Sequence, residues 1–222
     1  MFWHVLGELI PLAFAVIISP LPLVAVITLM LGPRGRGNAL LFAVVFAVGF
    51  FALTLAFASG SKGTTQNDSF FAQLLHIVLG FAFAALFFFL AYRSWKKRPR
   101  KGVAAAEPKW LAAMDSFGVV KTSGLALVLA IANAKNVPIA IAAGAEIGGA
   151  GLEWGLVVLS CAVFAVISSL GLIAVAVLGG SRGATGLLTS AKSGLIRHNA
   201  LIMVVLFVIL GALQLGKAFE AF

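Results

Sequence analysis

Apolar positions along the chain gather into six long blocks, near residues 3–31, 38–59, 70–92, 119–147, 153–178 and 195–219, each followed by a short polar connection or a chain end. Blocks of this length match the roughly 20 apolar residues a helix needs to cross a bilayer. They predict an all-α polytopic membrane protein of six transmembrane helices. The first and fourth blocks are the longest, and both are interrupted. In PLAFAVIISPLPLVAVITLMLG the polar and breaking residues Ser19, Pro20 and Pro22 lie about midway. In GLALVLAIANAKNVPIAIAAGAEIG, Asn133, Lys135, Asn136 and Pro138 occupy the corresponding depth. An odd number of spans per half inserts the second half upside down, so the pattern predicts two inverted three-helix repeats with broken helices 1 and 4. One transmembrane domain covers 1–222: a first repeat at 1–92, a basic cytoplasmic linker with an interfacial helix at 93–118, and a second repeat at 119–222. Paired interruptions in inverted repeats point to a transporter's central site near the bilayer midplane.

Composition agrees about the solvent: 62% of residues are hydrophobic and 10% charged, with a mean hydropathy of +1.11, far outside the range of soluble domains. Charge then supplies orientation. The first, third and fifth connections with their flanks carry Arg34 and Arg36, then Arg93, Lys96, Lys97, Arg98, Arg100, Lys101, Lys109 and Lys121, then Arg182, Lys192 and Arg197, while the opposite side has Lys62 and Lys217. By the positive-inside rule this places both termini outside a bacterial cytoplasmic membrane. The net charge of +9 is thereby accounted for without nucleic acid. Trp3 and Trp154 fall at outer span ends and Trp95 and Trp110 near the inner interface, as aromatic belts require. The start, MFWHVLGELIPL, lacks a basic n-region and reads as a retained first span. A single cysteine, Cys161, rules out an internal disulfide, a CxxC pair and a cysteine metal cluster; neither metal nor cofactor is expected. In the linker, WKKRPRKG is either a topology signal or a cluster that attracts anionic headgroups. Pro108 then opens a short interfacial helix with Trp110, Leu111, Met114 and Phe117 along one side.

The chemistry lies at the interruptions. Pro20 and Pro22 have no amide hydrogen for the carbonyls of Val16 and Ile18, and Pro138 has none for that of Ala134. Freed carbonyls in lipid cost several kcal/mol each, so they line protein or a cavity, where Ser19, Asn133 and Asn136 can bond them or a ligand. Simple proline kinks are the plainer alternative. Lys135 is sharper, because a charge at the bilayer centre costs about 3 kcal/mol on insertion scales. No carboxylate shares its depth: Glu8 starts span one, Glu146 is three turns further along span four, and Glu107 and Asp115 belong to the linker. The missing counter-ion is then the phosphate, sulfate or carboxylate of a substrate; otherwise the lysine snorkels, loses its proton or bonds carbonyls of the opposite break. His76, Glu8 and Glu146 are the weaker candidates, for proton coupling. Gly144 and Gly148 form a GxxxG at the outer end of span four, suited to close packing and compatible with a homodimer.

An early SPxP, a central basic linker and a second-half NxKN with an AAG tail together resemble the lysine-exporter (LysE) superfamily, and within it the lipid-addressing branch named for sulfolipid and glycopeptidolipid export. Ser19, Pro20 and Pro22 match the family's first break, with Leu21 where glycine is usual; Asn133, Lys135 and Asn136 match its second, with Ala134 where proline is usual and Pro138 downstream. The resemblance implies a transporter that exports or flips an anionic glycolipid or lipid-linked envelope precursor, or alternatively a secondary exporter of amino acids or other small polar solutes. It implies membrane lipids and lipid-biosynthesis or envelope-export proteins as partners. The chain reads as lacking GxxxxGK[ST], HExxH, GxSxG and a paired intramembrane aspartate, which argues against an ATPase or an intramembrane hydrolase, and no enzyme is expected.

Overall fold

The computed structural model describes residues 1–61, 70–98, 109–133, 135–181 and 183–220. They form α1 (Phe2–Ile17), α2 (Pro20–Leu31), α3 (Gly35–Ser61), α4 (Phe70–Lys96), a 3₁₀ helix (Lys109–Ser116), α5 (Val119–Ile131), α6 (Asn136–Gly149), α7 (Trp154–Ser168), α8 (Leu170–Leu178) and α9 (Ala184–Glu220), with no strand among the described residues. Two helices, α3 and α9, are long and apolar enough to cross a membrane alone. Three more crossings arise if each bent pair is one span: α1 with α2 at 56°, α5 with α6 at 62°, and α7 with α8 at 51°. The remaining long helix, α4, covers the third apolar block and lies along α9.

The outer surface is apolar, unlike that of a water-soluble domain. Val44, Val48, Phe89, Val166 and Val205 face outward, whereas Thr54, Ser160 and Ser169 are buried. Lipid imposes this arrangement, since apolar side chains lose nothing outside and hydroxyls need partners inside. Thr54 donates to the Phe50 carbonyl at 2.9 Å and Ser160 to that of Leu156 at 2.7 Å. Phe42, Phe46 and Phe50 stack along α3 with centroids 6.3 and 6.1 Å apart, and Phe164 of α7 continues the row at 5.6 Å. This aromatic column is part of the core.

Side-chain rungs fix the helix directions. Met1 lies by Gly151, Glu8 and Glu146 share Lys217, and Ala15 meets Lys135, so α1 and α6 run antiparallel. Gly151 turns the chain at that end with φ +63°, a conformation costly for any residue with a Cβ. In contrast, α3 runs parallel to α5 and α6: Asn38 donates to the Phe117 carbonyl, Gly49 packs on Leu127 and Ala130, and Gly148 meets Ala58. Helices α4 and α9 are antiparallel, with Phe81 on Phe219 and Phe87 on Phe207. Arg34, Arg36, Arg93, Lys96 and Lys121 therefore share one end of the bundle with the 3₁₀ helix, and Met1, Gly151 and Lys217 share the other.

Four expectations change in detail. The fifth block is not continuous, because α7 and α8 break at Ser169. The sixth helix begins at Ala184 instead of 195, since Leu188 is buried against the α8 end and extends the helix past the apolar block. The linker helix is 3₁₀, whose three-residue turn stacks Leu111 directly over Met114 and buries both. Gly144 and Gly148 are spent inside the chain, facing Phe57 and Ala58 of α3, so this motif is not a free dimer surface. Lys62, residues 99–108 including Glu107 and Pro108, Ala134 and Arg182 lie outside the described residues, as does the side chain of His76.

Candidate functional site: three helix breaks at one level

The break between α1 and α2 follows from the prolines. Pro20 occupies the first position of α2 and Pro22 the third, where missing amide hydrogens cost no intrahelical bond. The prolines thus start a second half-helix instead of kinking a continuous one. The Ser19 amide, which in an unbroken helix would reach Ala15, donates to the Val16 carbonyl at 3.0 Å. The Val16 carbonyl thus keeps a partner, and the carbonyl of Ala15, one residue earlier, is freed in its place.

Lys135 fills that vacancy. Its Nζ donates to the Ala15 carbonyl, and the residue is 2% exposed, with no carboxylate in salt-bridge range among the described residues. Around it the second break is built by asparagines. Asn136 donates through Nδ2 to the Leu129 carbonyl at 2.9 Å and more loosely to that of Ala130 at 3.4 Å, capping the end of α5 from the start of α6. The Asn133 carbonyl accepts the Asn136 amide at 2.9 Å and its side chain accepts the Lys135 amide at 3.3 Å. Pro138 sits buried in the first turn of α6, again where no helical bond is lost. The Asn136 Oδ1, in a residue with 0% exposure, accepts nothing among the described residues. An acceptor left bare in this setting costs about 1–3 kcal/mol, which makes it a place for a water or a ligand donor.

The third break was not foreseen. The amide of Ser169 reaches back to Ala165 at 3.1 Å and Val166 at 3.0 Å, and its Oγ takes Ala165 as well at 2.8 Å. Such serine back-bonding bends helices. Neighbouring Ser168 keeps a buried hydroxyl without a partner among the described residues. Gly171 packs against Ile17, where a Cβ would come within 3.2 Å of the Ile17 carbonyl. The legible signal was SSLG inside an otherwise apolar block.

The seven expected site residues thus cluster at two breaks that meet. They meet through Lys135 and the Ala15 backbone, and no hydrogen bond joins Ser19 to either asparagine among the described residues. Glu8 and Glu146 lie away from the breaks, together with Lys217, at the end of the bundle that holds Met1. Contrary to the expectation that GxSxG is absent, Gly179, Ser181 and Gly183 have that spacing. The Ser181 hydroxyl donates to the Leu178 carbonyl at 2.9 Å in an exposed turn with no strand before it, unlike a hydrolase nucleophile elbow.

A family model described as Sap, sulfolipid-1-addressing protein, matches residues 9–220. The chain belongs to this family. All seven break residues, Ala15 and Lys217 lie inside the matched region, so the three breaks are set within the family's own span. No curated protein and no solved structure matches the chain.

Proposed function

We propose that this addressing-family protein moves an anionic lipid across the cytoplasmic membrane as a secondary transporter, with six spans and both termini outside, and with Lys135 receiving the headgroup. The observation that carries the proposal is Lys135 itself, a buried lysine at mid-bundle whose Nζ donates to a carbonyl released by the opposite break. An anionic oxygen is a stronger partner for an ammonium than an amide carbonyl, so a sulfate, phosphate or carboxylate can displace Ala15. Asn136 Oδ1 and Ser168 Oγ add open acceptor capacity at the neighbouring breaks for hydroxyls on the same headgroup. Acyl tails stay outside, against a bundle surface that is already apolar.

The test uses purified protein in liposomes and measures reduction by external dithionite of three short-chain NBD lipids: phosphatidylglycerol, a sulfated galactosyl lipid and phosphatidylcholine. Wild-type protein is expected to accelerate the two anionic lipids over the zwitterion. Lys135→Met should slow them about 10- to 100-fold, the loss of a charge-assisted bond worth about 1.5–3 kcal/mol. Equal rates for wild type and variant refute the role of Lys135. Wild-type efflux of a loaded amino acid with no lipid movement favours the small-solute exporter instead.

A further inference from the structure

Lys217, near the end of α9, lies between two carboxylates from two other helices. Its Nζ donates to Glu8 Oε2 of α1 at 3.1 Å and to Glu146 Oε1 of α6 at 2.5 Å. His4 Nδ1 approaches the remaining Glu8 oxygen at 3.2 Å. Glu8 stands seven residues before Ala15 and Glu146 eleven after Lys135, so at 1.5 Å per residue the cluster lies roughly 10–16 Å along the α1–α6 seam from the Lys135 contact. It closes the seam at the end of the bundle that holds Met1. Elsewhere α9 packs chiefly on α4 and α2, which makes Lys217 the polar tie between its end and the two helices of the seam.

We infer that Glu8, Lys217 and Glu146 form an ionic latch that shuts the α1–α6 seam above Lys135 and opens by release of Lys217. The exposure of the three side chains distinguishes a latch from a permanent strut. Each is about one-quarter to one-third exposed, at 33%, 33% and 27% for Lys217, Glu8 and Glu146, so the separated charges reach water. Lys135, in contrast, is sealed. The small-residue contact of Gly80 with Ala218 lets α9 lie close against α4 beside the latch, so the two can move together as a packed pair.

The latch is tested without cargo, so its failure and that of the transport proposal are separable. In a Cys161→Ala background, a reporter cysteine replaces Ala142, buried on α6 one turn from Glu146 and two from Lys135, and a control cysteine replaces Ala126, buried on α5 toward the other end. Purified protein in nanodiscs exposes both faces to a charged, membrane-impermeant thiol reagent. Lys217→Met is expected to speed labelling of the Ala142→Cys reporter by roughly five- to thirtyfold, as loss of two half-buried ion pairs should, and to leave the Ala126→Cys control unchanged. Glu8→Gln with Glu146→Gln should give the same acceleration from the opposite side, and Lys217→Arg should keep labelling slow. An unchanged rate at Ala142→Cys, equal acceleration at both reporters, or an arginine variant as fast as methionine overturns the latch.

Discussion

Gly148 is the tightest point of the seam between α3 and α6. A Cβ there would stand 2.3 Å from the Ala58 carbonyl oxygen and 3.0 Å from Ser61 Cβ. Ordinary contact begins near 3.4 Å, so Gly148→Ala must drive the two helices apart by about 1 Å at that end. Neither side yields cheaply, because the obstacle is backbone and not the tip of a flexible side chain. A gap of 0.5–1 Å forfeits roughly a quarter to a half of each dispersion contact along the seam, and overpacking of this kind costs about 1–3 kcal/mol. For a chain of this size that is a fall in melting temperature of about 3–10 °C, measured on the detergent-solubilised protein by intrinsic fluorescence. Gly216→Ala on α9 is the control. Nothing lies within 4 Å of its Cβ position, and alanine is the better helix former by about 1 kcal/mol, so its melting temperature should hold or rise. A Gly148→Ala protein as stable as wild type would refute the close approach of α3 and α6. Since Glu146 lies two residues before Gly148, the same variant should also accelerate labelling of the Ala142→Cys reporter.

Three further outcomes are expected. Lys135→Met should express and melt within about 1 kcal/mol of wild type, because the relieved cost of a buried charge, about 2.5–3.5 kcal/mol, offsets the lost bond and the bared Ala15 carbonyl; a collapse in expression would make the lysine a strut. Asn38→Ala should destabilise by about 1–2 kcal/mol, since Asn38 is buried and donates to the Phe117 carbonyl at 2.9 Å, and a silent result in the same melting assay would deny the clamp on the linker helix. Single cysteines at Ser59 and Arg98, exposed near opposite ends of the bundle, should react with impermeant reagent from opposite sides of intact cells, with Ser59 outside; the same side for both would defeat the proposed topology.

Much of the bundle was legible because lipid permits few solutions. Apolar blocks near span length must be helical, since no water is available to the backbone, and SPLP and NAKNVP, which group proline with polar residues, marked the interruptions of two of them; proline alone does not break a span, since Pro11 lies within α1. Serine gives no such guarantee. Ser169 bends its helix only because its hydroxyl and amide both turn back to Ala165 and because Gly171 makes room beside Ile17, and the second condition belongs to another helix.

Residue types alone therefore determined the membrane solvent, the helical class, two of the breaks and the oddity of a mid-span lysine lacking a carboxylate. The tertiary structure decided what those features touch. It set the Ser19 amide on Val16, which moved the orphan carbonyl to Ala15 and gave Lys135 its partner from 120 residues away. It spent the Gly144 and Gly148 faces on α3, and it brought Lys217, seen in the sequence only as one stray positive charge, between Glu8 and Glu146. Hydropathy and proline act along the chain and can be read from it. A backbone acceptor has no letter of its own, and which charges meet depends on how α1, α6 and α9 cross.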